Sequence, residues 1–378
     1  MEGIGIGLIG TGFMGKTHAL AYRAVRAVMG DLPDCRLELL CDRPAARAGE
    51  MAAQFGFARS TDEWRALVDD PRVDLVSITT PNALHHDIAL AAFAAGKHVY
   101  CEKPMAVTLG QARAMAAAAR AAGVRTLVGY NYIKNPAFTH AQRLIAEGRI
   151  GRIVHLRGWV DEDYQADPEL PWTWRSKQSE AGLGALGDIG CHLVSMACGL
   201  AGPIASLIAD TKIVHGTRRL PDGSGSAAVE NEDIANAIVR FASGAQGSLS
   251  ASRLAWGRKN CLAWEVYGTE GTLAFCQERM NELQLYENRG PKAEQGFRTI
   301  LTGPEHLPFG QFCPAAGHQL GFLDLKTIEL SDLLRAIVTG TPAHPHFDDA
   351  LEFEIVIHAI AESARSGQRV ILAEGAAT

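Results

Sequence analysis

Asp188 and His192 stand four residues apart in a glycine-entered segment, Gly182-Leu183-Gly184-Ala185-Leu186-Gly187-Asp188-Ile189-Gly190-Cys191-His192, that runs on through 193–200 as a helix. At that spacing both side chains project from one helix face. A carboxylate that orients an imidazole is the arrangement a general base needs. An Asp/His pair on a helix also serves as a plain structural contact, and the two residues alone do not separate these readings. Gly187, Gly190 and Cys191 are small enough to let another group come close. A second chemical group is Lys103, in Cys101-Glu102-Lys103-Pro104. Its ammonium can hold a substrate oxygen and favour the anionic form. With a depressed pKa it can also move protons, and a solvated surface charge is the alternative. Pro104 restricts the chain after it and so limits where Lys103 points.

The third set is Gly10-Thr11-Gly12-Phe13-Met14-Gly15, which follows the apolar run Ile4–Ile9 and precedes a helix-like stretch, 16–29. Strand, tight glycine turn and helix form the context in which G-x-G-x-x-G binds a dinucleotide. Gly10 permits the turn, Gly12 lets a pyrophosphate approach the backbone, and Gly15 lets the helix sit close on the strand. Phe13 and Met14 open the helix, whose N-terminus offers free N–H groups and a positive dipole end to phosphate. A glycine-rich turn that binds nothing is the competing reading, since glycine is common here at 39 residues.

These groups need a scaffold. Residues 4–130 alternate short apolar runs (Ile4–Ile9, 37–41, 75–79, His98–Cys101, 126–129) with Ala-rich helical segments such as 83–95 and Leu109–Ala122. Continuous Val/Ile/Leu strands alternating with helices predict a parallel sheet covered on both faces, doubly wound by right-handed crossovers. Ligands of such sheets bind beyond the carboxyl ends of the strands. At one such end lies Asp42, which can accept hydrogen bonds from the adenosine ribose hydroxyls and so favours NAD, with NADP as the alternative. Its distance from the glycines exceeds the usual ~20 residues, but the intervening helix is long. Asp42 also suits a helix cap before Pro44, and Arg43 suits adenine stacking or a 2′-phosphate. Thr80-Pro81-Asn82 form another strand-to-helix turn, where Asn82 can cap the next helix. His85, one turn on, reads as a surface residue or one standing behind the cofactor contacts.

Asn131 follows the last of these strands, and a helix runs from Asn135-Pro136 to about Gly148. Near Ile150 the period changes. A long strand, 153–159, opens a second domain, followed by a polar, aromatic loop, 161–177, with Tyr164, Trp172, Trp174 and Arg175. Aromatic faces beside charges suit stacking on sugar C–H surfaces, or ordinary loop packing. Extended segments follow at 207–214, Ile234–Phe241, 247–253, 263–267, 272–275 and 283–286, read as an antiparallel meander. Helices at about 318–339 and 348–366, with a short return strand at 369–372, close the chain. One sheet face is expected under the Asp188 helix, the other in solvent or against a second subunit.

Composition limits the function classes. At 378 residues the chain is long enough for two or three domains, and 47% hydrophobic against 21% charged content is ordinary for a globular protein. A net charge of -6 leaves no basic footprint for nucleic acid. No apolar run reaches the ~20 residues of a membrane span, and no basic-apolar-small pattern opens the chain, so a cytoplasmic enzyme is expected. The eight cysteines include no C-x-x-C, which predicts buried thiols rather than disulfides or a zinc site.

Taken together, Gly10–Gly15, Glu102-Lys103-Pro104 and Gly187-Asp188-Ile189-Gly190-Cys191-His192 resemble the Gfo/Idh/MocA family of oxidoreductases, over essentially the whole chain. Thr80-Pro81-Asn82 and Gly129-Tyr130-Asn131-Tyr132 match as well. The resemblance implies an α/β protein: a Rossmann domain, residues 1–131, then an α/β domain with a large, mostly antiparallel open sheet, residues 132–378, whose final helices can pack back on the first. It implies NAD(P)-linked oxidation of a secondary alcohol on a sugar, anhydrosugar or inositol, without metal, in a homodimer or homotetramer. The catalytic roles carry over to Lys103, Asp188 and His192. Cofactor contacts are expected from Gly10, Gly12, Phe13, Met14, Gly15, Asp42, Arg43, Thr80, Pro81, Asn82, His85, Glu102, Lys103 and Asn131. Substrate contacts are expected from Lys103, Asn131, Tyr164, Trp174, Arg175, Asp188 and His192. A nucleotide-sensing regulator on the same fold would not need to keep all three catalytic groups. A dihydrodiol or biliverdin-type reductase would want a more apolar pocket than Asp161, Asp163, Arg175 and Lys177 leave. A methyltransferase using S-adenosylmethionine would leave Glu102-Lys103-Pro104 without a purpose.

Overall fold

The computed structural model describes residues 3–372, in two compact units: residues up to Asn131 together with Gly321–Leu351, and Tyr132–Leu320 together with the residues from Glu352 on. The first unit carries six strands: β1 (Ile4–Ile9), β2 (Cys35–Cys41), β3 (Arg59–Thr61), β4 (Leu75–Ile78), β5 (His98–Cys101) and β6 (Thr126–Val128). Their order is β3-β2-β1-β4-β5-β6, with every pairing parallel. This is the doubly wound order whose reversal point lies between β1 and β4. All residues of β1 and β4 are buried, as a sheet covered on both faces requires. The edge strand β3 escapes the sequence reading because Arg59-Ser60-Thr61 is short and polar. The helix Phe322–Thr339 belongs to this unit and stacks Phe322 on Phe13, ring centroids 5.6 Å apart.

The second unit is built on β7 (Ile153–Asp161), β8 (Ile204–Lys212), β9 (Thr217–Arg219), β10 (Ser226–Ala228), β11 (Ile234–Phe241), β12 (Gln246–Ser252), β13 (Cys261–Gly268), β14 (Gly271–Cys276), β15 (Glu282–Glu287), β16 (Arg298–Leu301) and β17 (Val370–Ile371). Nine of them form one sheet, β16-β15-β14-β13-β7-β12-β11-β8-β17, while β9 and β10 pair as a separate hairpin. It is not a simple meander. The first strand, β7, lies at the centre, parallel to β12 and antiparallel to β13. Strict alternation along β11, with Ala235, Ala237, Val239 and Phe241 buried, gives the sheet one core face and one exposed face. The helix Cys191–Ala201 covers the core face: a Cβ on Gly158 of β7 would fall 2.7 Å from Leu193 Cδ1. One helical stretch among the described residues, Gln178–Ala201, is long and apolar enough to cross a membrane, but 78% of its apolar window is buried inside the domain.

Candidate active site

In the first unit the cofactor candidates gather at the carboxyl ends of β1, β2, β4 and β5. Gly10 has φ +97, a conformation that suits glycine alone. A Cβ on Gly15 would lie 2.1 Å from the Gly10 carbonyl oxygen, so the helix Phe13–Met29 can start this close to β1 only with glycine there. Gly12 is different: a Cβ there would meet nothing within 4 Å. Above it the space is open, beside the first-turn N–H groups of Phe13 and Met14, which have no intrahelical acceptor.

This contrast gives a prediction. Gly12→Ala keeps a backbone, φ -67, that alanine adopts freely. Its thermal melt should stay at the wild-type value while the Kd for NADH rises at least ~10-fold, roughly one 1.4 kcal/mol step. Gly15→Ala should instead lower the melting temperature, and differential scanning fluorimetry with NADH titration reads both. A Gly12→Ala protein with wild-type NADH affinity would remove the glycine turn from the cofactor site.

Asp42 sits where β2 ends, and its carboxylate is well supplied with donors. Its Oδ2 accepts from Thr11 N at 3.0 Å, from the Thr11 hydroxyl and from Arg47 Nε at 3.1 Å, and Oδ1 accepts from Arg43 N at 2.7 Å. Burial works to raise its pKa, but these donors outweigh it and hold Asp42 below the usual range. Thr11 and Arg47 were not expected from sequence, although Thr11 lies inside the glycine turn. The Arg43 guanidinium is engaged elsewhere, with Nη2 on Glu63 at 2.7 Å and Nε on Asp62 O at 3.0 Å. Pro81 is exposed and Asn82 opens a short 3-10 turn, Asn82–Leu84. Thr80 Oγ1 and Asn131 Nδ2 are buried with no hydrogen-bond partner among the described residues. Open space over Gly12, an anionic Asp42 and two orphaned polar atoms fit a polar ligand of dinucleotide type.

His85 is not on the surface. Its imidazole is buried between Pro104 O, 3.0 Å from Nδ1, and Thr80 O, 3.1 Å from Nε2. Burial lowers its pKa. It ties the turn after β4 to the turn after β5, behind the expected cofactor contacts. The Glu102 carboxylate also faces inward: Oε1 lies 2.8 Å from His18 Nε2 and 2.6 Å from Lys326 Nζ. Lys103 itself is half-buried.

In the second unit, Tyr164, Arg175 and Asp188 come together. The Tyr164 hydroxyl donates to Asp188 Oδ2 at 2.5 Å, and Arg175 Nε lies 3.4 Å from the same oxygen. Burial and then the Asp188 charge push the Tyr164 phenol well above its ordinary pKa, so it remains a donor at neutral pH. Arg175 also lies over the Trp174 ring, 4.5 Å from its centroid. Asp188 is on a π-helical turn, Leu186–Gly190, that leads into the α-helix Cys191–Ala201 carrying His192. The i,i+4 face is therefore one of a widened turn, a form frequent at functional sites. His192 is 5% exposed, and Tyr132 packs on its imidazole with ring centroids 4.4 Å apart. Asn260 Nδ2 in turn donates to the Tyr132 hydroxyl at 2.8 Å. Glu232 is a further supporting residue: its Oε1 accepts from Leu186 N at 2.9 Å at the start of the π-helical turn. Tyr132 was legible as part of Gly129-Tyr130-Asn131-Tyr132. Glu232 and Asn260 carry no local signal.

None of the eight cysteines is in a disulfide, and four of them, Cys41, Cys101, Cys191 and Cys261, are buried. Cys261 Sγ and Cys276 Sγ lie 3.9 Å apart, and with Glu278 their ligand atoms lie within 4.8 Å of one another. Burial pushes the Cys261 thiol up to about 11. Glu278 already accepts from Lys259 N at 2.9 Å and Asn260 N at 3.3 Å, and pairs with Arg258. A cation there would have to displace these partners.

Residues 4–130 match the family model described as oxidoreductase family, NAD-binding Rossmann fold, and residues 138–274 match the GFO/IDH/MocA C-terminal domain. The chain is 39% identical to levoglucosan dehydrogenase of Pseudarthrobacter phenanthrenivorans, covering 96% of this chain and 97% of that protein. The structure of levoglucosan dehydrogenase in complex with NADH and levoglucosan superposes with a TM-score of 0.95, at 39% identity, covering 99% of this chain and 100% of that one. An NAD binding oxidoreductase from Klebsiella pneumoniae superposes with a TM-score of 0.94, at 44% identity, covering 98% and 100%. With the glycine turn, Glu102-Lys103-Pro104 and the Asp188/His192 helix carried on these two matched domains, the chain belongs to the GFO/IDH/MocA family of NAD-binding oxidoreductases.

Proposed function

We propose that this enzyme oxidises a secondary ring hydroxyl of an anhydrosugar, sugar or inositol, with NAD as hydride acceptor and with Lys103, Asp188 and His192 as its catalytic residues. The observation that carries the proposal is the Tyr164–Asp188–Arg175 group on the turn that leads into the His192 helix. His192 takes the hydroxyl proton. Asp188, held by Tyr164 and Arg175, supports the imidazolium that forms. Lys103 donates to the same oxygen and stabilises it as it becomes anionic and then a carbonyl. Bound NAD supplies the acceptor for the hydride leaving the carbon. Gly10, Gly12 and Gly15 with the Phe13 and Met14 amides would hold its pyrophosphate, Asp42 its adenosine ribose, and Thr80 and Asn131 would meet its polar groups nearer the nicotinamide. Trp174 offers a face for sugar C–H groups, and Arg175 and Asn131 can bind hydroxyls. The reaction works in the cytoplasm, in a homodimer or homotetramer that uses the exposed face of the nine-stranded sheet, where Ile238 is 58% exposed.

Levoglucosan leads the substrate panel, because the relative 39% identical over 96% of this chain carries that name. Initial rates should be measured on levoglucosan, D-glucose, D-xylose and scyllo-inositol with NAD⁺ and with NADP⁺. Reduction of NAD⁺ is expected with at least one of them, levoglucosan foremost, and at least ~10-fold more efficiently than reduction of NADP⁺, since the Asp42 charge opposes a 2′-phosphate. Tight NADH binding with no turnover on any of them would favour a nucleotide-sensing role instead.

A further inference from the structure

The Glu102 carboxylate is fixed on several sides inside the first unit. His18, from the helix after the glycine turn, faces Oε1 at 2.8 Å and is itself held by Ser77 Oγ at 2.9 Å. Lys326, from the helix Phe322–Thr339, reaches the same oxygen at 2.6 Å. A Cβ on Gly129 would fall 2.6 Å from Oε1, so the backbone after β6 packs directly on the carboxylate. Glu102 N donates to Ile78 O at 2.9 Å on the neighbouring strand. Lys326 has no exposed surface. Besides Glu102, its ammonium lies 2.8 Å from Glu329 Oε2 and 3.4 Å from the Tyr100 hydroxyl. Tyr100 donates to Glu329 and stacks on His18, ring centroids 4.1 Å apart. The groups facing Glu102 and Lys326 are thus His18, Tyr100 and Glu329, with Ser77 and Tyr22 one bond further out.

Burial alone would favour neutral Glu102, but Lys326 and His18 reverse this and hold it well below the usual carboxylate range. Burial disfavours a charged Lys326, and Glu102 and Glu329 outweigh that. A buried charge pair of this kind has a steep desolvation cost and is weak evidence of a stabilising device. It does fix a position. The residue after Glu102 is Lys103, and the one after that, Pro104, has its carbonyl held by His85 at 3.0 Å. Lys103 therefore leaves a backbone pinned on both sides.

We propose that Lys326 is a positioning residue for Lys103: by fixing Glu102 from the far end of the chain it sets the direction in which the Lys103 side chain leaves β5. The proposal rests on the role given to Lys103 above. Within the unit, it gives one residue of the helix Phe322–Thr339 a positioning role, although that residue is not asked to touch substrate.

The test is a split between turnover and cofactor binding in three variants. Lys326→Gln keeps a donor toward Glu102 but removes the charge. Its kcat should fall about 10–10²-fold, the scale of a small misplacement of a reacting group, while the Kd for NADH stays within about twofold. Lys326→Arg keeps the charge but puts a larger head into a fully buried site, so it should shift Glu102 and lower kcat several-fold at unchanged NADH affinity. It carries the test alone if Lys326→Gln does not fold. Arg335→Ala is the control: on the same helix it pairs with Asp31 at 2.9 Å and touches neither Lys326 nor Glu102, so kcat and the Kd for NADH should both stay at the wild-type value. Wild-type kcat in a folded Lys326→Gln or Lys326→Arg enzyme overturns the proposal. So does a loss of kcat matched by an equal loss of NADH affinity, which marks a merely structural role. Lys103→Met measured alongside separates the two levels: if it turns over normally, the reading of Lys103 fails, whatever Lys326 does.

Discussion

His192→Ala is expected to lower kcat by about 10²–10⁴-fold, the range that a positioned proton acceptor contributes. The imidazole is buried and backed by the Tyr132 ring at 4.4 Å. Water is therefore a poor substitute base at that point. Alanine is the best helix former, and the substitution lies within Cys191–Ala201, so the helix should persist. The loss should lie in kcat, with the Kd for NADH at the wild-type value. Steady-state kcat reads this, with NADH affinity as the control for folding. Unchanged turnover would place the base elsewhere.

Lys103→Met carries the second large effect. Methionine keeps most of the apolar stem and removes the ammonium, so the change isolates the donor. Removing one donor that stabilises a developing oxyanion typically costs 10²–10³-fold in kcat, roughly 3–4 kcal/mol of barrier. A loss of that size is expected here in kcat/KM, with kcat falling alongside it, because the interaction strengthens as the oxygen becomes anionic. A rise in KM at constant kcat would instead make Lys103 a substrate-binding residue with no part in the chemistry.

How much of this was legible follows from the range of each interaction. The run Ile4–Ile9 is continuous and apolar because the strand is buried on both faces, so strand, glycine turn and helix can be read from adjacent residues. The alternation in Ile234–Phe241 was equally readable, since its period of two reports one buried face. What failed was non-local or fell below the length at which patterns speak. The central place of β7, parallel to a strand some ninety residues later, has no local signature. The three-residue β3 is too short and polar. The π-helical turn under Asp188 hides in a glycine-rich segment that an α-helical period also fits. Lys326 and Glu329, three residues apart on one helix, carry no local signal, and only the fold brings Lys326 to Glu102, 224 residues away. In the same way Glu232 reaches Leu186 N across 46 residues. The chemistry-bearing types at the strand and helix ends were visible, and the residues that hold them from behind were not.

In the proposed reaction an amine and an imidazole act on one hydroxyl in one step. A double-mutant cycle tests it most directly, from kcat/KM of wild type, Lys103→Met, His192→Ala and the double variant on the best substrate of the panel. Groups that act as a unit are strongly non-additive. The double variant should therefore be no more than ~10-fold slower than the worse single one. Losses that multiply in full would mean that the two residues serve separate events, and would contradict the account.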